Sequence, residues 1–197
     1  MSDAFFTTLA FVALSESGER TLSFARKPGA DTLLAVEEVD ESLLKSTEVF
    51  HVGSLSLTDE PARSATHHAT KIAKAAGAVI SYDPNYRASL WPDADVKTAK
   101  ARMRELLPYV DVMKLSDEET MLLTDQPELE QAAAALNAMG ISCVAVTLGK
   151  KRRAGLDQQQ ERDGRLLSAE SAGYHRRGRR VLGRVPLKNA CAQKTPE

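Results

Sequence analysis

Hydrophobic and polar positions change period several times along this chain. Residues 7–14 are β-prone, the turn Ser15-Glu16-Ser17-Gly18 follows, and residues 20–25 alternate Leu22 and Phe24 with polar neighbours. Alternation on both sides of a glycine-containing turn predicts a hairpin. Residues 48–52 read as a short strand; Thr58, Asp59 and Pro61 then form a helix-start signal for residues 62–76, which Gly77 stops. A strand over 78–82, the turn Asp83-Pro84-Asn85, a helix over 96–107 and a strand over 110–115 come next. Ser116 is a candidate N-cap for a helix from Asp117, residues 128–139 make a further helix with Gly140 as its stop, and 143–148 is an almost wholly apolar strand. Such a run suits a strand buried on both faces of a parallel sheet.

Strands alternating with helices of about 10–15 residues argue for right-handed crossovers and a three-layer α/β domain. In such sheets ligands bind beyond the carboxyl ends of the strands. Polar clusters stand at four of those ends: Gly53-Ser54, residues 83–87, residues 114–119 and residues 147–149. Parallel strands bring all four to one rim, so a shared site is expected there.

Composition sharpens the domain boundary. With 197 residues and 43% hydrophobic content the chain suits one domain with a sizeable core. The net charge of -1 hides an asymmetry: residues 151–197 hold about 12 Lys and Arg against about 5 Asp and Glu. That Arg-rich stretch keeps no sustained apolar period and is expected to have no fold of its own. Cys143 and Cys191 match no metal-ligand spacing, which favours a reduced, cytoplasmic chain over a disulfide framework. The apolar stretch 4–14 is about half the length of a membrane span and follows Asp3, so neither a span nor a secretion signal is expected. A nucleic-acid role for the run Arg176 to Arg180 is disfavoured, because no aromatic interleaving or recognition motif accompanies it.

Asp83, Asn85 and Arg87 offer an acceptor, an amide and a guanidinium within one turn, chemistry suited to sugar hydroxyls or an acidic substituent. The alternative is an Asx-type turn with a surface arginine. Lys114 and Glu119 flank the start of a helix, where N–H groups and the dipole suit phosphate and a carboxylate could hold hydrated magnesium; the alternative is a capped helix with solvated charges. Thr147-Leu148-Gly149-Lys150 reads either as a glycine turn open to nucleotide phosphates or as an ordinary β-turn. His51, His67 and His68 read as satisfied or solvated histidines rather than ligands. Arg26-Lys27-Pro28-Gly29 is a basic loop reaching a substrate or a solvated turn.

In this order, Thr7-Thr8-Leu9-Ala10-Phe11-Val12, residues 24–31, 50–63, 81–87 with Leu90-Trp91, 114–119 and 146–150 resemble the middle of a fructokinase of the PfkB, or ribokinase-like, family. The resemblance covers about residues 5–151. It implies a ribokinase-like α/β domain with a small β lid, here the hairpin over residues 7–25, incomplete at both ends. It further implies transfer of the γ-phosphoryl group of ATP to a sugar, fructose first, with magnesium as the metal. By the same carry-over Arg26, Asn85 and Arg87 would contact the sugar, Lys114, Thr147 and Gly149 would serve the nucleotide, and Glu119 would reach magnesium through water. Ser116 stands where many members have Asn. Lid strands in this family often pair between subunits, so a homodimer through the hairpin is expected.

Two family segments do not occur in these 197 residues: a Gly-Gly sugar-binding segment before Phe5, and the Gly-Ala-Gly-Asp segment that supplies the anion hole and the aspartate base. Without the latter little turnover is expected, and a non-catalytic sugar- or nucleotide-binding remnant is the alternative. A back-translation of residues 174–184 reread one base later gives Thr-Thr-Gly-Ala-Gly-Asp-Ala-Phe-Trp-Gly, and Arg152-Arg153-Ala154 can read as Gly-Ala-Leu in the same offset. A frameshift near codon 152 is therefore expected to explain the basic tail over 152–197.

Overall fold

The computed structural model describes residues 5–15, 20–27, 29–91 and 95–147. Gly149 and the stretch 152–197, with the readings attached to them, lie outside the described residues.

The N-terminal alternation becomes an antiparallel hairpin of β1 (Leu9–Leu14) and β2 (Arg20–Ala25), in which Leu9 faces Ala25 and Leu14 faces Arg20. β1 is exposed along its whole length, so the hairpin stands away from the core. Then comes α1 (Glu41–Ser46), whose start is fixed by the Asp40 carboxylate accepting from the Ser42 and Leu43 N–H groups at 2.9 and 3.1 Å. Six residues are too few for a 3.6-residue period to register, and sequence reasoning missed this helix.

β3 (Val49–Gly53), α2 (Ala62–Ala75), β4 (Val79–Asp83), α3 (Val96–Arg104), β5 (Val112–Ser116), α4 (Asp117–Thr124), α5 (Leu129–Ala138) and β6 (Cys143–Thr147) complete the order. The four strands pair in parallel as β3-β4-β5-β6. Gly77 and Gly140 end α2 and α5 with φ of 89° and 99°, the left-handed conformation that glycine adopts without a Cβ penalty. α3 stops at Arg104 instead of running to Leu107, which opens a 3-10 turn with Pro108. β4 and β5 begin slightly later than expected, and Asp111 stands just before β5. Its carboxylate accepts from Lys74 Nζ (2.6 Å) and the Ile80 N–H (2.9 Å), and its carbonyl accepts from the Ser142 and Cys143 N–H groups.

Successive right-handed crossovers that all step in one direction place their helices on one face of a sheet. On that face Val52, Tyr82, Met113 and Val146 join Ala73 of α2, Met103 of α3, Leu123 of α4 and Leu136 of α5 in one buried cluster. The opposite face carries His51, Ser81, Lys114 and Thr147, none of them buried. The described residues thus supply the sheet and one helical layer of the expected three-layer arrangement. β6 shows the consequence: Val144 and Val146 are buried but Cys143, Ala145 and Thr147 only partly so, where its apolar run predicts burial on both faces.

Candidate functional site

The open sheet face hollows at the carboxyl ends of β3 and β4 into a cleft of about 410 Å³, whose walls include Asp31, His51, Gly53, Ser56, Asp83 and Asn85. Two carboxylates, an amide, an imidazole and a hydroxyl around one hollow suit a ligand with several hydroxyl groups.

The turn after β4 takes the Asx form that sequence reasoning offered as the alternative, at the edge of the cleft. Asp83 Oδ1 accepts from the Asn85 N–H at 3.2 Å and Asn85 has φ 46°, an Asx-type turn; the same two residues line the cleft. Asp83 Oδ2 also accepts from Lys114 Nζ at 2.9 Å, because Lys114 on β5 lies beside Asp83 on the same face. Arg87 turns back on its own loop and donates to the Tyr86 carbonyl at 2.9 Å.

Glu119 is buried, and each of its oxygens accepts a backbone N–H: Tyr86 at 2.6 Å and Ser116 at 2.7 Å. Ser116 Oγ in turn accepts from the Glu119 N–H at 3.1 Å, completing a capping box. The carboxylate therefore ties the turn after β4 to the first turn of α4. The expectation of free N–H groups for phosphate at this helix start needs correction. The Glu118 N–H donates to Asp117 and the Glu119 N–H to Ser116, while three acidic side chains crowd the first turn. A carboxylate oxygen accepts more than one hydrogen bond, so Glu119 keeps acceptor capacity for water around a metal ion, the indirect role magnesium usually assigns to protein carboxylates. Among the described residues no group of three or more His, Cys, Asp or Glu is placed to hold a metal by itself. Thr147 faces Ser116 across the β5–β6 ladder, and its hydroxyl donates to the Leu115 carbonyl at 3.1 Å.

Arg26 has a different place from the one expected of a sugar ligand. It is only 6% exposed, and its guanidinium donates to Asp31 (2.8 Å), to Thr58 Oγ1 (2.8 Å) and to the Leu55 carbonyl (2.7 Å). With its donors engaged inside the protein, it fastens the end of the hairpin to the 3-10 turn after β3, and the residue it presents to the cleft is Asp31. Burial alone would raise the Asp31 carboxyl, but hydrogen bonds from Thr8 and Arg26 and the guanidinium charge outweigh it and hold the group below its ordinary value. Burial pushes the Tyr82 phenol well up, helped by Glu119 and Asp83, so it stays neutral beneath the site.

Asn85, Lys114, Glu119 and Thr147 thus lie along one rim through strand register and the Glu119 tie. Asp31, His51, Gly53 and Ser56 are cleft residues that sequence reasoning did not single out as ligands. Gly53 was legible as a polar strand end; Asp31 and His51 needed the fold to bring them together.

A sequence profile described as pfkB family carbohydrate kinase matches residues 6–161. The chain belongs to the pfkB family of carbohydrate kinases. This pfkB chain is 43% identical over 146 residues to fructokinase-2 of Solanum lycopersicum, covering 74% of its own length and 44% of that relative. Among solved structures, the fructokinase from Xylella fastidiosa superposes with TM-score 0.63 at 33% identity, covering 75% of this chain and 47% of that one. A fructokinase from Vibrio cholerae O395 in fructose, ADP and calcium ion bound form superposes with TM-score 0.62 at 33% identity, covering 73% and 45%. The pfkB chain therefore spans under half the length of the kinases it matches.

Proposed function

We propose that this chain carries the sugar-binding part of a fructokinase-type site, in a scaffold whose reaction is transfer of the ATP γ-phosphoryl group to a sugar hydroxyl. The observation that carries the reading is the cleft at the ends of β3 and β4, where Asp31, Asp83 and Asn85 converge. In it the two carboxylates would accept from sugar hydroxyls and the Asn85 amide would orient the ring. D-Fructose is the first choice, in keeping with the relatives' names. Arg87 stands one turn away and would swing from the Tyr86 carbonyl to a ligand. Lys114, Thr147 and Gly149 would serve ATP along the neighbouring strand ends.

Magnesium, when bound with ATP, would neutralise charge on the phosphate oxygens, and Glu119 would hold its hydration shell. Glu119 has a second task that needs no metal: by holding the Tyr86 N–H it sets the sugar-side turn relative to α4. The 197 residues contain no Gly-Ala-Gly-Asp segment, so we expect binding with little turnover, since positioning without a base or anion hole leaves most transition-state stabilisation unsupplied.

We further propose a cytoplasmic location, which the spacing of the two cysteines supports; among the described residues no helix is long and apolar enough to cross a membrane. For the tail we keep the frameshift reading, which sequencing of codons 145–190 would check. Calorimetric titration of the chain with D-fructose tests the central reading. Saturable heat that disappears in Asp83→Asn combined with Asn85→Ala supports it, and absence of any saturable heat in the unaltered chain rejects it.

A further inference from the structure

We propose that Gly53 and His51 determine which sugar the cleft admits: Gly53 by leaving space that any side chain would fill, His51 by offering a ring nitrogen to a sugar hydroxyl. This rests on the reading of the cleft as a sugar site. The two residues are two apart on β3, so they share the open face, and both line the cleft.

Gly53 is not required by the backbone or by packing. A Cβ built there would meet only the Asp83 carbonyl oxygen, at 3.4 Å, within 4 Å, which is ordinary van der Waals contact. Gly29 is the contrast within the same chain, since its Cβ would come within 2.3 Å of the Arg26 carbonyl oxygen. What glycine contributes at position 53 is therefore unfilled volume on the cleft side. A hollow of about 410 Å³ is at the small end for a ligand pocket, so the side chain of one residue changes what fits.

His51 is held rather than loose. Its Nδ1 lies 3.1 Å from Ser81 Oγ on the neighbouring strand, which fixes the ring and leaves Nε2 as the nitrogen available to a ligand. A serine hydroxyl can donate or accept, and so can a sugar hydroxyl, so either imidazole tautomer completes the pair. Asp31 and Asp83 accept only, while His51 can serve in either sense, and that gives the cleft a polarity in which sugars of different hydroxyl geometry differ in affinity.

The test uses the 197-residue chain and its Gly53→Ala, Gly53→Val, His51→Ala and Ser81→Ala variants, titrated with D-fructose and with the five-carbon sugar D-ribose, with thermal melts alongside. Gly53→Val is expected to weaken fructose binding roughly tenfold or more, and ribose binding at least about threefold less than that. Gly53→Ala should fall between it and the unaltered chain while keeping the melt, so a Val variant that fails to fold still leaves the effect readable. His51→Ala should cost roughly threefold to tenfold, the worth of one neutral hydrogen bond, and Ser81→Ala a smaller loss in the same direction. If the unaltered chain binds fructose and Gly53→Ala and His51→Ala bind it equally well, or both sugars lose affinity in parallel, this inference is overturned and the sugar-site reading stands. If the unaltered chain binds neither sugar, both fall together.

Discussion

A methyl group on Gly29 would lie 2.3 Å from the Arg26 carbonyl oxygen, 2.7 Å from Asp31 Oδ1 and 2.8 Å from Thr8 Oγ1. One neighbour is backbone and the other two are the partners of a hydrogen bond, so they cannot all yield. Gly29→Ala is therefore expected to destabilise the chain by about 1–3 kcal/mol, read as a lower urea midpoint. The same cluster gives a pH dependence. Asp31 titrates below its ordinary range when folded, so it contributes stability that is fully present above the unfolded carboxylate value and is lost as pH falls through the lower folded value. Protection factors of the β1 and β2 amides, which remove the intrinsic pH dependence of exchange, should fall at low pH, and Asp31→Asn should flatten that fall. Here sequence reasoning reached its limit for a definite reason. Arg26 was visible as a basic residue beside a turn, but Thr58, which accepts its hydrogen bond, is 32 residues away, and only the fold reveals that the guanidinium is occupied.

The strands and longer helices were legible because apolar period and stop residues agree, as in α2 with Gly77 and α5 with Gly140. Ser116 was legible as a cap for the same local reason. The second half of that cap was not: Glu119 also accepts from the Tyr86 N–H, 33 residues away, and joins two elements that a sequence shows only as separate clusters. Replacing Glu119 by Ala removes the acceptor of two part-buried N–H groups and should cost about 1–3 kcal/mol in all, with faster exchange of the Tyr86 amide. Glu119→Gln keeps one acceptor oxygen and should lie between Ala and the unaltered chain. An Ala variant as stable as the unaltered chain, with the Tyr86 amide still protected, would show that the tie does not hold the turn.

At the scale of the molecule, two surfaces face outward without cover from the described residues: the sheet face bearing the cleft, and both sides of β1, where Phe11, Val12 and Leu14 are 59%, 57% and 69% exposed. Apolar strands left open in this way favour pairing with another chain. We expect a concentration-dependent dimer through the hairpin, weakened by Phe11→Lys with Leu9→Lys; light scattering that shows a monomer throughout the concentration range would refute it. The class of fold was readable in the sequence because alternation of strand and helix is a property of the whole chain. A resemblance incomplete at both ends already implied faces left uncovered; which face is open was not readable, because it follows from all the crossovers stepping the same way, and strand order is not written in any single segment.

We expect the 197-residue chain to bind fructose in the cleft at the ends of β3 and β4 and to transfer little or no phosphate to it. The most direct measurement is fructose-dependent ADP release from ATP and magnesium by the purified chain, in a preparation whose fructose binding has been established by titration. We predict saturable fructose binding with no fructose-dependent ADP above background. ADP formation at an ordinary kinase rate, about 1–100 per second, would contradict it.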